Sequence, residues 1–263
     1  MKLMQENDKG ADVKKLQNRL KELGFDPGIV DGDFGGGTAA ALKAFQASEG
    51  LLPDGIAGKK TIEALGFTFT SAGFDLSTVT VQVASKMLPA APISNIKTYL
   101  PVVLNALKAV DLADKNMILM ALSTIRAETD GFEPISEFKS KFNTSPNGHP
   151  FDLYDNRKDL GNQGKPDGDR FKGRGFIQLT GRANYLKHGK AIGLGDKLIK
   201  NPELANDAET AANLLASFLK NKEMAIKQAL LVGDLAGARR LVNGGSHGLE
   251  AFKIAFKTGE KLI

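Results

Sequence analysis

One eight-residue pattern occurs twice near the start of the chain, as DGDFGGGT over residues 31–38 and as DGIAGKKT over residues 54–61. Each copy joins an Asp-Gly turn to a further glycine and then to a threonine that opens an apolar run of helical period. Such an echo restricts the segment to short helices joined by tight turns. Val13, Leu16, Leu20 and Leu23 fall at i, i+3, i+7 and i+10 on one helix face, and Gly24 follows as a C-cap. Thr38 is placed to cap a second helix carrying Leu42 and Phe45, and Thr61 a short third one carrying Ile62 and Leu65. Residues 1–66 are therefore predicted to form a small three-helix domain. Residues 67–79, FTFTSAGFDLSTV, are rich in Ser, Thr and Gly and read as a linker.

A second domain is expected over residues 80–263, after a stretch broken up by Pro89, Pro92 and Pro101. Helical periods occupy 96–110, 114–127, 208–220, 222–231 and 235–242, with a loop-rich stretch over 143–174. The expectation is a mainly α chain with at most a small hairpin. Hydrophobic residues at 42% and charged residues at 25% are sufficient for two packed cores.

The chain has no cysteine, which excludes disulfide scaffolds, thiol catalysis and cysteine-ligated zinc together. His149, His188 and His247 are scattered without ligand spacing, so they read as solvated loop residues, and no metal or cofactor is expected. The net charge of +5 suits a polyanionic partner, be it nucleic acid, anionic lipid or a wall polymer. The lysines are dispersed, without interleaved aromatics on one element, which argues against nucleic acid. The apolar run 117–122 is too short to span a bilayer, and MKLMQENDKGADV lacks an apolar leader core. An unexported protein without stable membrane association is expected.

Chemistry concentrates in two places. In MILMALSTIRAETDGF the apolar stripe Ile118, Ala121, Ile125 continues onto Glu128, where desolvation would hold a carboxyl protonated as a general acid. Glu137 follows nine residues later, and paired carboxylates are the minimum equipment of glycoside hydrolysis. Glu133 and Asp152 stay open as alternatives for the second carboxylate. The block FKGRGFIQLTGRANY, residues 171–185, reads as a sugar-binding floor. Gly173, Gly175 and Gly181 would let backbone approach a sugar, Gln178, Thr180 and Asn184 would bond hydroxyls and N-acetyl groups, and Tyr185 would lie against a ring. Tyr154 can stack on sugar or pack within its loop. Arg174 and Arg182 can contact substrate carboxylates or pair with buried acids.

The ordered set Gly10, Val13, Leu16, Gln17, Leu20, Gly24, Asp31, Gly32, Phe34, Gly35, Thr38, Phe45, Gln46, Gly50, Leu51, Asp54, Gly55, Gly58, Thr61 and Leu65 resembles the type 1 peptidoglycan-binding domain. That resemblance implies a wall-anchoring module without catalysis. Residues 171–185, with Gly161-Asn162, Asp167-Gly168, the helix end 127–132 and VNGGSHGLE at 242–250, resemble glycoside hydrolase family 19, the chitinase-like fold of plant chitinases and many phage lysozymes. Asp130 stands where that family usually has glycine.

The second resemblance implies Glu128 as general acid, Glu137 as general base, Thr180 holding the attacking water, Asn243 binding substrate, and inversion of configuration. Together the two resemblances imply a monomeric phage-type endolysin, a muramidase acting on the β-1,4 bond of bacterial peptidoglycan. It would wait in the host cytoplasm until the inner membrane is breached. A chitinase and a catalytically silent wall-binding protein are the alternatives.

Overall fold

The structure, a computed structural model describing residues 1, 3–67, 74–243 and 248–263, divides into two units, Met1–Phe74 and Asp75–Ile263. In the first, α1 (Ala11–Glu22), α2 (Gly36–Ser48) and α3 (Lys59–Ala64) close on a core of Val13, Leu16, Leu20, Phe34, Leu42, Phe45, Ile62 and Leu65. Leu23, read as part of the buried face, is 38% exposed because it is the C-cap of α1, where the chain leaves the helical path. All three helices end alike. Gly24, Gly50 and Gly66 adopt positive φ of 88°, 66° and 81°, and the next residue's N–H returns to the carbonyl of Leu20, Gln46 or Ile62. This is the Schellman closure, in which glycine takes the left-handed turn without a Cβ clash.

The repeated pattern has a different cause from the one expected. Glycines 10, 35 and 58 occupy the N-cap positions, and Thr38 and Thr61 lie inside their helices. The threonine hydroxyls serve instead as acceptors for two buried glutamines. Gln17 Nε2 donates to Asp31 Oδ1 and Thr38 Oγ1, both at 3.1 Å, while its Oε1 accepts from Gly32 N at 2.8 Å. Gln46 repeats the arrangement with Asp54 Oδ1 at 2.8 Å, Thr61 Oγ1 at 3.1 Å and Gly55 N at 2.9 Å. Each Asp-Gly turn is thus fastened to the preceding helix by one fully bonded amide, and the sequence echo records this shared bonding scheme.

The second unit opens with a 3-10 turn at Leu76–Thr78 and α4 (Val81–Met87), followed by α5 (Ile93–Ala109) and α6 (Lys115–Thr129). Asp114 caps α6 by accepting from Met117 N at 3.0 Å. Every residue from Met117 to Ile125 is fully buried, a run that is apolar except for Ser123 and Thr124. The chain continues through β1 (Ile135–Ser136), α7 (Asp152–Asp155), α8 (Asp167–Arg170), β2 (Arg174–Gly175), α9 (Arg182–Ala191), α10 (Lys197–Lys200) and α11 (Ala208–Asn221). It ends with α12 (Glu223–Leu231), α13 (Leu235–Asn243) and α14 (Leu249–Leu262).

Helices α4, α11, α12 and α14 pack against α6, and α11 also covers α5. Gly259 of α14 lies at the crossing with α6 and α4: a Cβ there would stand 2.3 Å from Leu119 and 2.7 Å from Met87. The fold is mainly α. β1 pairs antiparallel with β2, Ile135 opposite Gly175 and Ser136 opposite Arg174. The two strands are far apart in the chain, so they form a long-range clasp rather than a hairpin. Among the described residues no helix is long and apolar enough to cross a membrane.

His188 departs from the expectation of solvated loop residues, His149 is a partly exposed loop residue with an acidic partner, and His247 lies outside the described residues. His149 Nε2 stands 2.8 Å from Asp155 Oδ2. His188 is buried in α9, with Nδ1 3.0 Å from Ser217 Oγ and its ring stacked on Phe218. Burial, with help from the Lys187 charge, pushes the His188 pKa down to about 4.

Two stability measurements test these assignments. In chemical denaturation of the full chain, Gln17→Leu or Gln46→Leu is expected to cost the first unit about 2–3 kcal/mol, because a buried turn N–H and a buried hydroxyl lose their partner. A cost below about 0.5 kcal/mol, the ordinary range of surface substitutions, would remove the hub from the account. His188 is neutral when folded and titrates near the ordinary imidazole value when unfolded, so its contribution is complete above pH ~6.5 and lost as pH falls toward ~4. Over that window the second unit of the wild type should lose on the order of 2–3 kcal/mol more than His188→Gln. Parallel pH profiles would show that His188 does not carry the effect.

Candidate functional site

Glu128 lies in the last turn of α6, where the fully buried run gives way to partly exposed positions. Its surroundings differ from the apolar pocket anticipated from the stripe. Arg239 of α13, itself fully buried, donates from Nη2 to Glu128 Oε1 at 2.7 Å, and the Glu128 side chain is 12% exposed. The Arg239 guanidinium also stands over the Phe252 ring of α14 at 6.0 Å. Helical period along α6 alone could not reveal a cation delivered from more than a hundred residues away.

The helix stops at Asp130, whose φ is +47° and whose carboxylate pairs with Arg126. With ψ at −44° the residue lies outside the left-handed helical region that aspartate tolerates, a conformation glycine adopts more readily. Asn95 then ties down the exit by donating to Gly131 O at 3.0 Å and Glu133 Oε2 at 3.3 Å.

Glu137 follows β1 directly and is held against the 171–185 block from both backbone and side chain. Its N–H donates to Gly173 O at 2.7 Å, and its Oε2 accepts from Gly173 N at 3.1 Å. Its Oε1 accepts from Asn143 Nδ2 and from Tyr154 Oη, both at 2.9 Å. A half-buried carboxylate with three donors is fixed in direction. Tyr154 is therefore a positioning donor, and burial beside the Glu137 charge raises its pKa well above the ordinary phenol value, which keeps the proton on it. Asn143 and the Gly173 backbone are members of this group that sequence reasoning missed. Neither residue type nor spacing could have marked them, since both act through the fold of a loop.

The alternative acid Asp152 is committed elsewhere. The Ser145 hydroxyl and N–H both donate to it and hold its carboxyl below the usual carboxylate range.

Within the block, alternate residues 178, 180, 182 and 184 reach partial exposure while Ile177, Leu179, Gly181 and Tyr185 are buried. Gln178 sits at φ +51° and donates from Nε2 to Ile135 O at 3.0 Å and Gly175 O at 3.1 Å, locking β1 to the block. Thr180 Oγ1 donates to Gln178 O at 2.8 Å, so its oxygen keeps acceptor capacity. Asn184 Nδ2 donates to Thr180 O at 2.8 Å, leaving its carbonyl oxygen.

Three readings of the block need correction. Tyr185 is fully buried and cannot lie against a sugar ring. Its hydroxyl donates to Lys172 O at 2.7 Å and accepts from Arg174 Nη1 at 3.0 Å, and burial pushes its pKa up to about 12. Arg182 forms a fork with the buried Asp167, at 2.7 and 2.5 Å, and Arg174 pairs with Glu203. Arg182 thus pairs with a buried acid, whereas the buried Arg174 pairs with an acid that is itself largely exposed.

The glycines are required by the protein itself. A Cβ on Gly175 would meet Ala205 O at 2.7 Å, one on Gly181 would meet Leu160 O at 2.8 Å, and one on Gly173 would stand 2.9 Å from Gln178 Oε1 and 3.1 Å from Glu137 Oε2. The Asn243 side chain lies outside the described residues. Among the described residues no cluster of three or more metal-ligating side chains occurs.

The arrangement thus offers one carboxylate clamped by neutral donors, another paired with a buried guanidinium, and polar oxygens on one edge of the block.

Comparison with known proteins gives partial matches. Residues 9–65 match the family described as "Putative peptidoglycan binding domain". The spore cortex-lytic enzyme of Bacillus cereus is 51% identical over 63 residues, which is 24% of this chain and 24% of that protein. A glycosyl hydrolase family 19 domain-containing protein of Haemophilus influenzae is 28% identical over 98 residues, 37% of this chain and 45% of its own. The acidic 26 kDa endochitinase of Solanum lycopersicum is 53% identical over 36 residues, 14% of each chain. The chain spans between 14% and 28% of the length of four curated wall-lytic relatives. These similarities set a wall-binding family match in the first unit beside partial likeness to family 19 glycoside hydrolases.

Proposed function

We propose that the protein is a peptidoglycan-degrading lysin whose first unit holds it on the bacterial wall and whose second unit hydrolyses the β-1,4 bond between N-acetylmuramic acid and N-acetylglucosamine. The observation that carries this reading is the Glu137 clamp: a carboxylate bound to Gly173 N and Tyr154 Oη, next to a block whose Gln178, Thr180 and Asn184 are partly exposed. Glu137 is the general base that takes a proton from the attacking water. Three neutral donors fix its direction and leave lone pairs for that proton. Thr180 Oγ1 offers an acceptor to the same water.

Glu128 is the general acid that protonates the departing glycosidic oxygen. Arg239 Nη2 donates to Oε1 and fixes the direction of the carboxyl. Inversion asks for a separation of about 6.5–9.5 Å between the two carboxyl groups, enough to admit one water. The wall as substrate is supported by the family match of residues 9–65. The endochitinase likeness favours, as the second reading, the same chemistry on poly-N-acetylglucosamine.

The deciding measurement is turbidity loss and reducing-end release from purified murein and from chitin, with mass spectrometry of the fragments. Wild type should release hydrated saccharides ending in reducing N-acetylmuramic acid. Glu128→Gln and Glu137→Gln should each lose a factor of about 10²–10⁴, the usual contribution of a positioned acid or base. Anhydro-sugars, freed peptides or a fully active Glu128→Gln would refute the mechanism, and products from chitin alone would select the second reading. Arg239→Met should lower both rate and stability, the latter by about 3–5 kcal/mol, since it strips a largely buried carboxylate of its partner. Retention of both would show that the pair neither supports nor positions Glu128.

A further inference from the structure

The segment that follows the Glu137 carboxylate is FKSKF, residues 138–142. Its two phenyl rings are among the most exposed large apolar groups described, Phe138 at 77% and Phe142 at 78%. Lys139 and Lys141 lie between them, also exposed, and the Lys141 ammonium stands 5.2 Å over the Phe142 ring. Phenyl rings left in water gain nothing for folding, and lone exposures of this kind are usually incidental.

This pair is not isolated, because Asn143 Nδ2 donates at 2.9 Å both to Phe138 O and to Glu137 Oε1. The backbone that presents the rings is therefore fastened by the same amide that orients the candidate base. Beside them lies an open depression of about 470 Å³ lined by Lys139, Ser140, Lys141, Thr144, Ser145 and Pro146.

We infer that residues 138–142 form a specificity lip on the glycan cleft, in which Phe138 and Phe142 support sugar rings and Lys139 and Lys141 engage the carboxylates of murein peptide stems. The inference rests on the glycan reading of the Glu137 site and deepens it. A phenyl face accepts the C–H surface of a pyranose, which serves any N-acetylated glycan. An ammonium distinguishes an anionic polymer from a neutral one. Murein differs from poly-N-acetylglucosamine in the acidic stems borne by alternate sugars, so the lysines supply the discrimination and the phenyls the general grip. Continuity with Glu137 favours a glycan strand over a lipid surface as the occupant.

The test uses the full chain as wild type, Phe138→Ser/Phe142→Ser and Lys139→Gln/Lys141→Gln, all surface changes. Binding is measured by calorimetry to soluble murein fragments with free stem carboxylates, to neutral chito-oligosaccharides and to anionic vesicles. The first unit is common to every variant, so differences report the lip. The phenyl variant should bind both glycans about tenfold more weakly, the sum of two modest aromatic contacts. The lysine variant should lose a similar factor on murein fragments only, and that loss should shrink as salt rises.

Murein-fragment affinity within about twofold of wild type in both variants would overturn the lip, as would equal losses of the lysine variant on neutral and acidic glycans. Vesicle binding lost with glycan affinity intact would overturn it in favour of lipid. If wild type fails to cut murein while the variants still lose fragment affinity, the hydrolytic reading falls and the lip stands. If cutting is intact and affinity unchanged, only the lip falls.

Discussion

Complete burial of helix α6 from Met117 to Ile125 is the constraint on which the second unit depends. A helix covered on every side cannot rotate or slide without opening voids against several neighbours at once, so the position of its last turn is set by the whole core. Glu128 sits in that last turn. The packing therefore fixes a carboxylate by means that have nothing to do with its charge, and the charge is then met by Arg239 arriving on α13. A fully buried guanidinium is costly to desolvate and is retained only where a partner repays the desolvation. Each member of the pair thus explains the tolerated burial of the other, and both link α6 to α13 at the point where the chain turns toward Glu137.

The second carboxylate is held by an opposite strategy. Glu137 lies outside the regular helices and borrows its rigidity from the short β1/β2 clasp and from side chains of the loop that follows it. Gln178 closes the same clasp from the other side, at a positive φ that an ordinary side chain adopts only when its surroundings demand it. One candidate catalytic group is therefore anchored by the apolar core and the other by a polar network. The network can be weakened one bond at a time, whereas the helix cannot, which makes the loop the natural place for substrate preference to vary.

Much of this was legible in the sequence, and the misses have definite causes. The helical periods over 114–127 and 208–220 announced α6 and α11 because apolar spacing follows directly from burial. The glutamine hubs are present as the repeated Asp-Gly and Thr pattern, but the threonines do not cap, since a hydroxyl six residues past an Asp-Gly pair suits either role until Gln17 and Gln46 are seen to reach it. Helices α4 and α9 are short and carry few apolar residues, and the buried stripe of α14, Phe252, Ala255 and Phe256, ends on Gly259, where the absence of a side chain is itself the packing feature. Tyr185 was read outward because an aromatic in a polar block suits a sugar surface. It faces inward because Arg174 needs a hydroxyl acceptor where the block turns into α9.

The same comparison explains why glycine misleads when function is read from sequence. Gly173, Gly175 and Gly181 look like a surface opened for a ligand, yet each is occupied by the protein's own atoms within 3 Å of where a Cβ would stand. Only Gly173 touches the candidate chemistry, and it does so through its N–H and by leaving room for the Glu137 and Gln178 side chains. A small residue in a motif thus reports a close approach without saying by what. Here the approaching groups are the side chains that shape the site, so the glycine belongs to the positioning of Glu137 beside the partly exposed polar edge of the block.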